Sequence, residues 1–87
     1  MKIECESLGG TLTIRLIGRF QQEHIAELRA QVREGFPIVV LDLEELTLVD
    51  VPVVRFLGDC ETKGATIVNC SRYIREWMSR EKQEGAK

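Results

Sequence analysis

Few residues in this chain could do chemistry, and their spacing decides how far each can be taken. The only histidine, His24, has no cysteine, serine or carboxylate at a useful spacing apart from adjacent Glu23. It therefore reads as a surface residue of a first helical turn rather than as a base or ligand. The 3 cysteines, Cys5, Cys60 and Cys70, form no CxxC pair, whereas a structural zinc site needs four ligands in closed spacing. They read as small core residues of a reducing compartment. Glu44 and Glu45 are adjacent in a turn, where neighbouring side chains diverge into solvent. Tyr73 and Trp77 could stack a base, but they are one aromatic pair without basic neighbours in a groove, and packing beneath a helix is the simpler role. Asp42 ends an apolar run and is expected to find a backbone or hydroxyl partner. No catalytic constellation, metal site or cofactor motif follows from these residues.

What remains is Asp50 and the run after it, Val51-Pro52-Val53-Val54. Aspartate is a strong helix N-cap, and proline is tolerated in a first turn because its missing N–H is not needed there. The apolar residues behind the cap have two readings. They form a docking patch beside Phe56 and the Gln21-Gln22 loop, or Val53 and Val54 are core and Val51 is incidental. Thr47 is the hydroxyl nearest the cap, and it reads first as a turn residue bonded to local backbone.

The elements that must position this stretch follow from periodicity. Lys2 to Glu6 alternates as a half-solvated edge strand whose charges discourage further pairing. Gly9-Gly10 marks a hairpin turn. Thr11 to Ile17 is a second strand, with Leu12, Ile14 and Leu16 on one face, and Gly18 ends it. A helix opens at Gln22 or Glu23 and runs to about Glu34, with Ile25, Leu28 and Val32 in one stripe and Gly35 and Pro37 as stop signals. Ile38 to Leu43 reads as a strand buried on both faces, and Glu44 to Val49 as a turn. The capped helix then covers about Val51 to Lys63, with Val53, Val54, Leu57 and Cys60 inward, and Gly64 ends it. Ala65 to Asn69 is a short last strand. Ser71 caps a final helix to about Glu81, with Tyr73, Ile74, Trp77 and Met78 inward. Arg72–Glu76 and Glu76–Arg80 are i, i+4 pairs. Residues 81–87 read as a frayed tail.

The expected fold is one α/β domain over 1–87, in the order ββαβαβα. It has a mixed four-stranded sheet, with an antiparallel N-terminal hairpin, parallel strands 2-3-4 and three helices. Both crossover helices fall on one face. The central strand is apolar on both sides, so the hairpin, a terminus or another chain should cover part of the second face, and a homodimer is among the expectations.

Composition narrows the function class. The chain has 87 residues, 44% of them hydrophobic, and a net charge of −2 with both signs interspersed. A nucleic-acid binder needs a basic face, and an electrostatic membrane anchor a polybasic one. The longest apolar run, Ile38 to Leu41, has 4 residues, against about 20 for a membrane-spanning helix. Met1-Lys2-Ile3-Glu4 has no apolar leader core, so the expected compartment is the cytoplasm.

Taken in order, these pieces resemble the STAS domain, the module of sulfate transporters and anti-sigma factor antagonists. The resemblance spans roughly residues 11–80. It rests on Leu16-x-Gly18-x-Phe20, Leu28, Val39-Val40-Leu41-Asp42-Leu43, Leu46-x-Leu48-Val49-Asp50, Leu57, Lys63-Gly64-Ala65 and Val68-Asn69. In anti-sigma factor antagonists, a serine phosphorylated by the partner kinase follows the capping aspartate, then a small hydroxyl residue and a glycine. Here Asp50 matches the aspartate, Val51 stands at the acceptor position, and Pro52 and Val53 replace the other two. Gln21 stands where the family often has an aspartate. The resemblance therefore implies a non-catalytic protein-binding module without the phospho-acceptor. Its partner would be an anti-sigma kinase-like ATPase or a regulatory complex, met through Asp50, Val51, Pro52, Val53, Gln21 and Gln22. Thr47 is the one substitute acceptor nearby. Two alternatives accompany it: a STAS subunit docking on the ATPase of a phospholipid-transporting ABC system, and a small-ligand or nucleotide-binding variant. Neither calls for a cofactor, nucleic acid or insertion into a membrane.

Overall fold

A computed structural model describes residues 1–32 and 37–85. The element order is β1 (Lys2–Leu8), β2 (Thr11–Phe20), a 3-10 turn at Gln22–His24, α1 (Ile25–Gln31), β3 (Ile38–Asp42), β4 (Leu46–Val49), α2 (Val51–Thr62), β5 (Thr66–Val68) and α3 (Arg72–Gly85).

The hairpin forms as the glycine pair requires. Gly9 and Gly10 have φ of 56° and 83°, the left-handed pair of a type I′ turn, whose twist matches the strands it joins. Leu8 then pairs with Thr11, and the antiparallel register runs unbroken to Lys2–Ile17. On its other side β2 pairs in parallel with β3, and β3 with β5, giving the order β1-β2-β3-β5.

The sheet has five strands among the described residues, not the expected four. The segment read as a turn, 44–49, contains β4, which runs parallel to the far end of β2. Two features hid it. Its ends, Leu46 and Val49, are buried while Thr47 and Leu48 between them are exposed, so strict alternation fails. The cause is a register shift beside Gly18 and Arg19, which places two residues on one strand against one on the other. For the same reason β2 does not stop at Gly18 but continues to Phe20. Gly18 passes through at φ 89°, and its N–H donates to the Glu45 carbonyl (2.9 Å).

The core lies between one sheet face and the helices. Leu12, Ile14, Leu16 and Phe20 of β2 meet Leu28 of α1, Val53, Val54 and Leu57 of α2, and Ile74 and Met78 of α3. The four predicted inward residues of α2 are all buried. Ser71 caps α3 as expected, its Oγ accepting from the Ile74 N–H (3.2 Å). Arg75 binds both oxygens of Glu61 (2.9 and 2.8 Å), and Arg55 bonds Glu81 (2.9 Å), which clamps α3 to α2.

Several expectations need correction. Tyr73 is 58% exposed and flanks the α3 stripe, in contact with Trp77 at 5.7 Å. Arg72–Glu76 forms, but Glu76–Arg80 does not pair among the described residues. Cys5 is exposed, its thiol donating to Gln31 Oε1 (3.2 Å), and only Cys60 is fully core. Burial pushes the Cys60 and Cys70 thiols upward, as for apolar-packed cysteines. The α3 helix continues through 81–85. The first helix is a 3-10 turn followed by α1, and the expected helix end at Glu34 and the stop signal Gly35 lie outside the described residues, while the second stop signal, Pro37, directly precedes β3. The hairpin lies within the sheet beside β2 and does not cover its second face. That face presents Leu8, Ile38 and Arg15, all exposed.

Candidate docking site at the start of the second helix

Asp50 is extended (φ −113°, ψ 177°) and caps α2. Its Oδ1 accepts from the Val53 N–H (3.2 Å), and its Oδ2 accepts from the Gln22 N–H (2.9 Å). One carboxylate thus satisfies an orphan donor at the start of α2 and another at the start of the 3-10 turn. The second bond spans 28 residues of sequence. It makes the loop after β2 and the start of α2 a single rigid edge.

His24 supports that edge from inside the turn. Its backbone N–H donates to the Gln21 carbonyl (2.8 Å), and its Nδ1 accepts from the Gln21 N–H (3.0 Å). The ring meets Phe20 edge-on at 5.8 Å. His24 is thus a local cap with an aromatic contact.

Around this edge the candidate residues sort by exposure. Gln21, Gln22 and Thr47 are exposed and Pro52 is half-buried. Val51 is 36% exposed at the first position of α2. Val53 is fully buried (0%) and belongs to the core, so it contributes no surface. The structure adds a residue that periodicity missed: Leu48, 44% exposed, paired in register with exposed Arg19. Leu48 and Val51 flank the Val49-Asp50 step and present apolar surface where the helix begins.

A second polar cluster lies lower in the sheet and is structural. Asp42, only 7% exposed, accepts from the Glu44 N–H and from Asn69 Nδ2 (both 3.1 Å) and lies 3.4 Å from Arg15 Nε. Burial alone would raise its pKa. The Glu44 and Asn69 hydrogen bonds and the Arg15 charge outweigh that and hold the carboxyl below its ordinary value. Asn69 takes φ 54° to reach it. The cluster joins the ends of β3 and β5 and the entry to β4.

At the opposite end of α2, a cleft of about 470 Å3 opens between α1 and α2. Phe56 and Val39 line it, together with Arg29, Lys63 and Asp59. Arg29 lies 5.8 Å above the Phe56 ring. No group of three or more metal-ligating side chains occurs among the described residues, and none of their helices is long and apolar enough to cross a membrane.

Solved structures share the fold. One is the anti-sigma factor antagonist SpoIIAA in its unphosphorylated form, with a TM-score of 0.68 over 90% of this chain and 82% of that one, at 18% identity. Another is Mglu, with a TM-score of 0.62 over 79% of this chain but 20% of that one, at 19% identity. No protein-family profile and no curated protein matches the sequence. The STAS-like α/β architecture expected from the residues is therefore the architecture found, with one strand more.

Proposed function

We propose that this chain is a non-catalytic regulatory module that docks a protein partner through residues 47–56 and works without a phosphorylation switch. The observation that carries the reading is Val51, at the helix position that follows the capping aspartate. It is exposed and has no hydroxyl, and Leu48, three residues before it, is exposed as well. The fold shared with an anti-sigma factor antagonist supports a partner of the anti-sigma kinase-like ATPase class, and a cytoplasmic setting accords with it. Exposed apolar side chains beside a rigid helix start are characteristic of interaction sites. A phosphate cannot be placed on Val51, so the partner would engage constitutively. Docking on an ABC-type ATPase would use the same surface.

The test is a direct binding measurement between the purified chain and such an ATPase. Val51→Asp should weaken binding about tenfold or more, the scale of a central interface contact, while the circular dichroism melt stays in place. Equal binding by the variant would refute the docking surface. With ATP and the kinase-like partner, the mass of the chain should not change. A single added phosphate mapped to Thr47 would show a relocated switch.

A second reading has one observation behind it, the cleft between α1 and α2, where two cations, Arg29 and Lys63, line the wall with one acid, Asp59. Its volume falls in the range of small-molecule sites. A nucleotide or another small anion would raise the melting temperature if that cleft binds it, and Arg29→Gln would abolish the rise.

A further inference from the structure

Among the described residues no strand pairs with the outer edge of β1, and its charges are ordered in a way that decides what can pair with it. Because the two-residue turn closes on Leu8–Thr11, that pair exchanges backbone hydrogen bonds, and bonded pairs alternate from there. Leu8, Glu6, Glu4 and Lys2 thus direct their backbone groups to β2. Ser7, Cys5 and Ile3 direct theirs away from the sheet, and β1 is an end strand of the strand order. Every residue of β1 except Ile3 is exposed. An edge of this length with unpaired backbone groups is a template for another strand.

Side-chain order selects the occupant. Lys2, Glu4 and Glu6 share one face, and Ile3 and Cys5 the other. Take a second copy of β1, antiparallel, about a two-fold axis through Glu4. Lys2 then faces Glu6 of the other copy, twice, and Ile3 faces Cys5, twice. The Ile3 and Cys5 backbone groups are those left unpaired, so this register also supplies their hydrogen bonds. Glu4 meets its own counterpart, but each Glu4 already has cations beside it: Lys2 Nζ at 3.5 Å and Arg15 Nη1 at 3.9 Å. Moving the axis to Cys5 sets Lys2 against Leu8 and Glu4 against Glu6, and loses every opposite-charge pair. Moving it to Ile3 keeps two opposite-charge pairs, Lys2–Glu4, but shortens the paired stretch to residues 1–5, so the Glu4 axis combines opposite charges with the longer ladder.

We propose that two copies of this chain associate through antiparallel β1–β1 pairing centred on Glu4, giving one continuous sheet across the dimer. The proposal is independent of the docking surface on α2, which lies outside β1.

Sedimentation of the full chain over rising concentration should show a reversible monomer–dimer equilibrium. Lys2→Glu should weaken the dimer roughly tenfold or more, because two attractive cross-strand pairs become repulsive. Lys2→Glu combined with Glu6→Lys should restore it. Under mild oxidation Ile3→Cys should form an interchain disulfide with Cys5, since directly paired residues lie within disulfide reach. A monomer at every concentration, or no response to the charge changes, would overturn the proposal. So would a Cys5–Cys5 disulfide in the unaltered chain, because it requires the other register.

Discussion

Asp50 Oδ2 lies 2.9 Å from the backbone nitrogen of Gln22, while Oδ1 of the same carboxylate caps α2 through Val53. Replacing Asp50 with alanine removes both acceptors and frees two donors. We expect a loss of about 1–2 kcal/mol, seen as a drop of roughly 4–15 °C in Tm for a domain of this size. Asp50→Asn retains one acceptor oxygen and should lose about half as much. If asparagine behaves like the unaltered chain, only one of the two bonds contributes to stability.

Val51 and Val53 are two residues apart but lie on opposite sides of the boundary between surface and core. Val51→Asp places an acid in a first helical turn, where the helix dipole favours it, so stability should change by less than about 0.5 kcal/mol. Val53→Asp buries a charge with no partner and should unfold the domain. Urea denaturation of the two variants checks this directly. A large loss from Val51→Asp would return Val51 to the core and remove it from the docking surface.

Asp42 makes stability depend on pH in a defined direction. Its folded-state pKa is lowered, so the unfolded chain binds its proton first as acid is added. The stabilisation is complete above the unfolded value of about 3.9 and is lost as pH falls through the lower folded value. Asp42→Asn should flatten that part of the stability–pH curve. It should also destabilise at neutral pH, because Arg15 loses the nearer of its two carboxylate partners. An unchanged acid limb would mean that other carboxylates dominate.

Two glycines should respond in opposite senses to alanine. Gly58 lies within α2, and an added Cβ meets nothing within 4 Å. Gly58→Ala should stabilise by roughly 0.5–1 kcal/mol. Gly18 has φ 89°, a region that side chains rarely adopt, so Gly18→Ala should destabilise by about 1 kcal/mol or more. Thermal melts of both variants read the difference. A neutral Gly18→Ala would mean that the bend between the two halves of β2 relaxes without glycine.

Residues whose neighbours lie within one helical turn or one hairpin were legible from the chain alone. The Asp50 and Ser71 caps, the Gly9-Gly10 turn and the α2 stripe of Val53, Val54, Leu57 and Cys60 all depend on spacings of two to four residues. Their physics is local, and sequence carries it. The first helix was read too simply for the opposite reason: a 3-10 turn precedes it, held by Gln21–His24 bonds that no hydrophobic period reports.

Sequence by itself determined the hairpin, the parallel crossovers and the Asp50 cap with a valine behind it, because apolar period and capping chemistry act over a few residues. Tertiary structure decided which residues of that cap are surface. Leu48 turns outward and stands exposed with Val51. It also decided that Asp50 holds Gln22 28 residues away, and that 46–49 is a strand at all. Each of these depends on where the far half of β2 lies and on the register shift beside Gly18. Alternation along four residues cannot encode a bulge whose cause is a partner strand, so only the assembled sheet could reveal it.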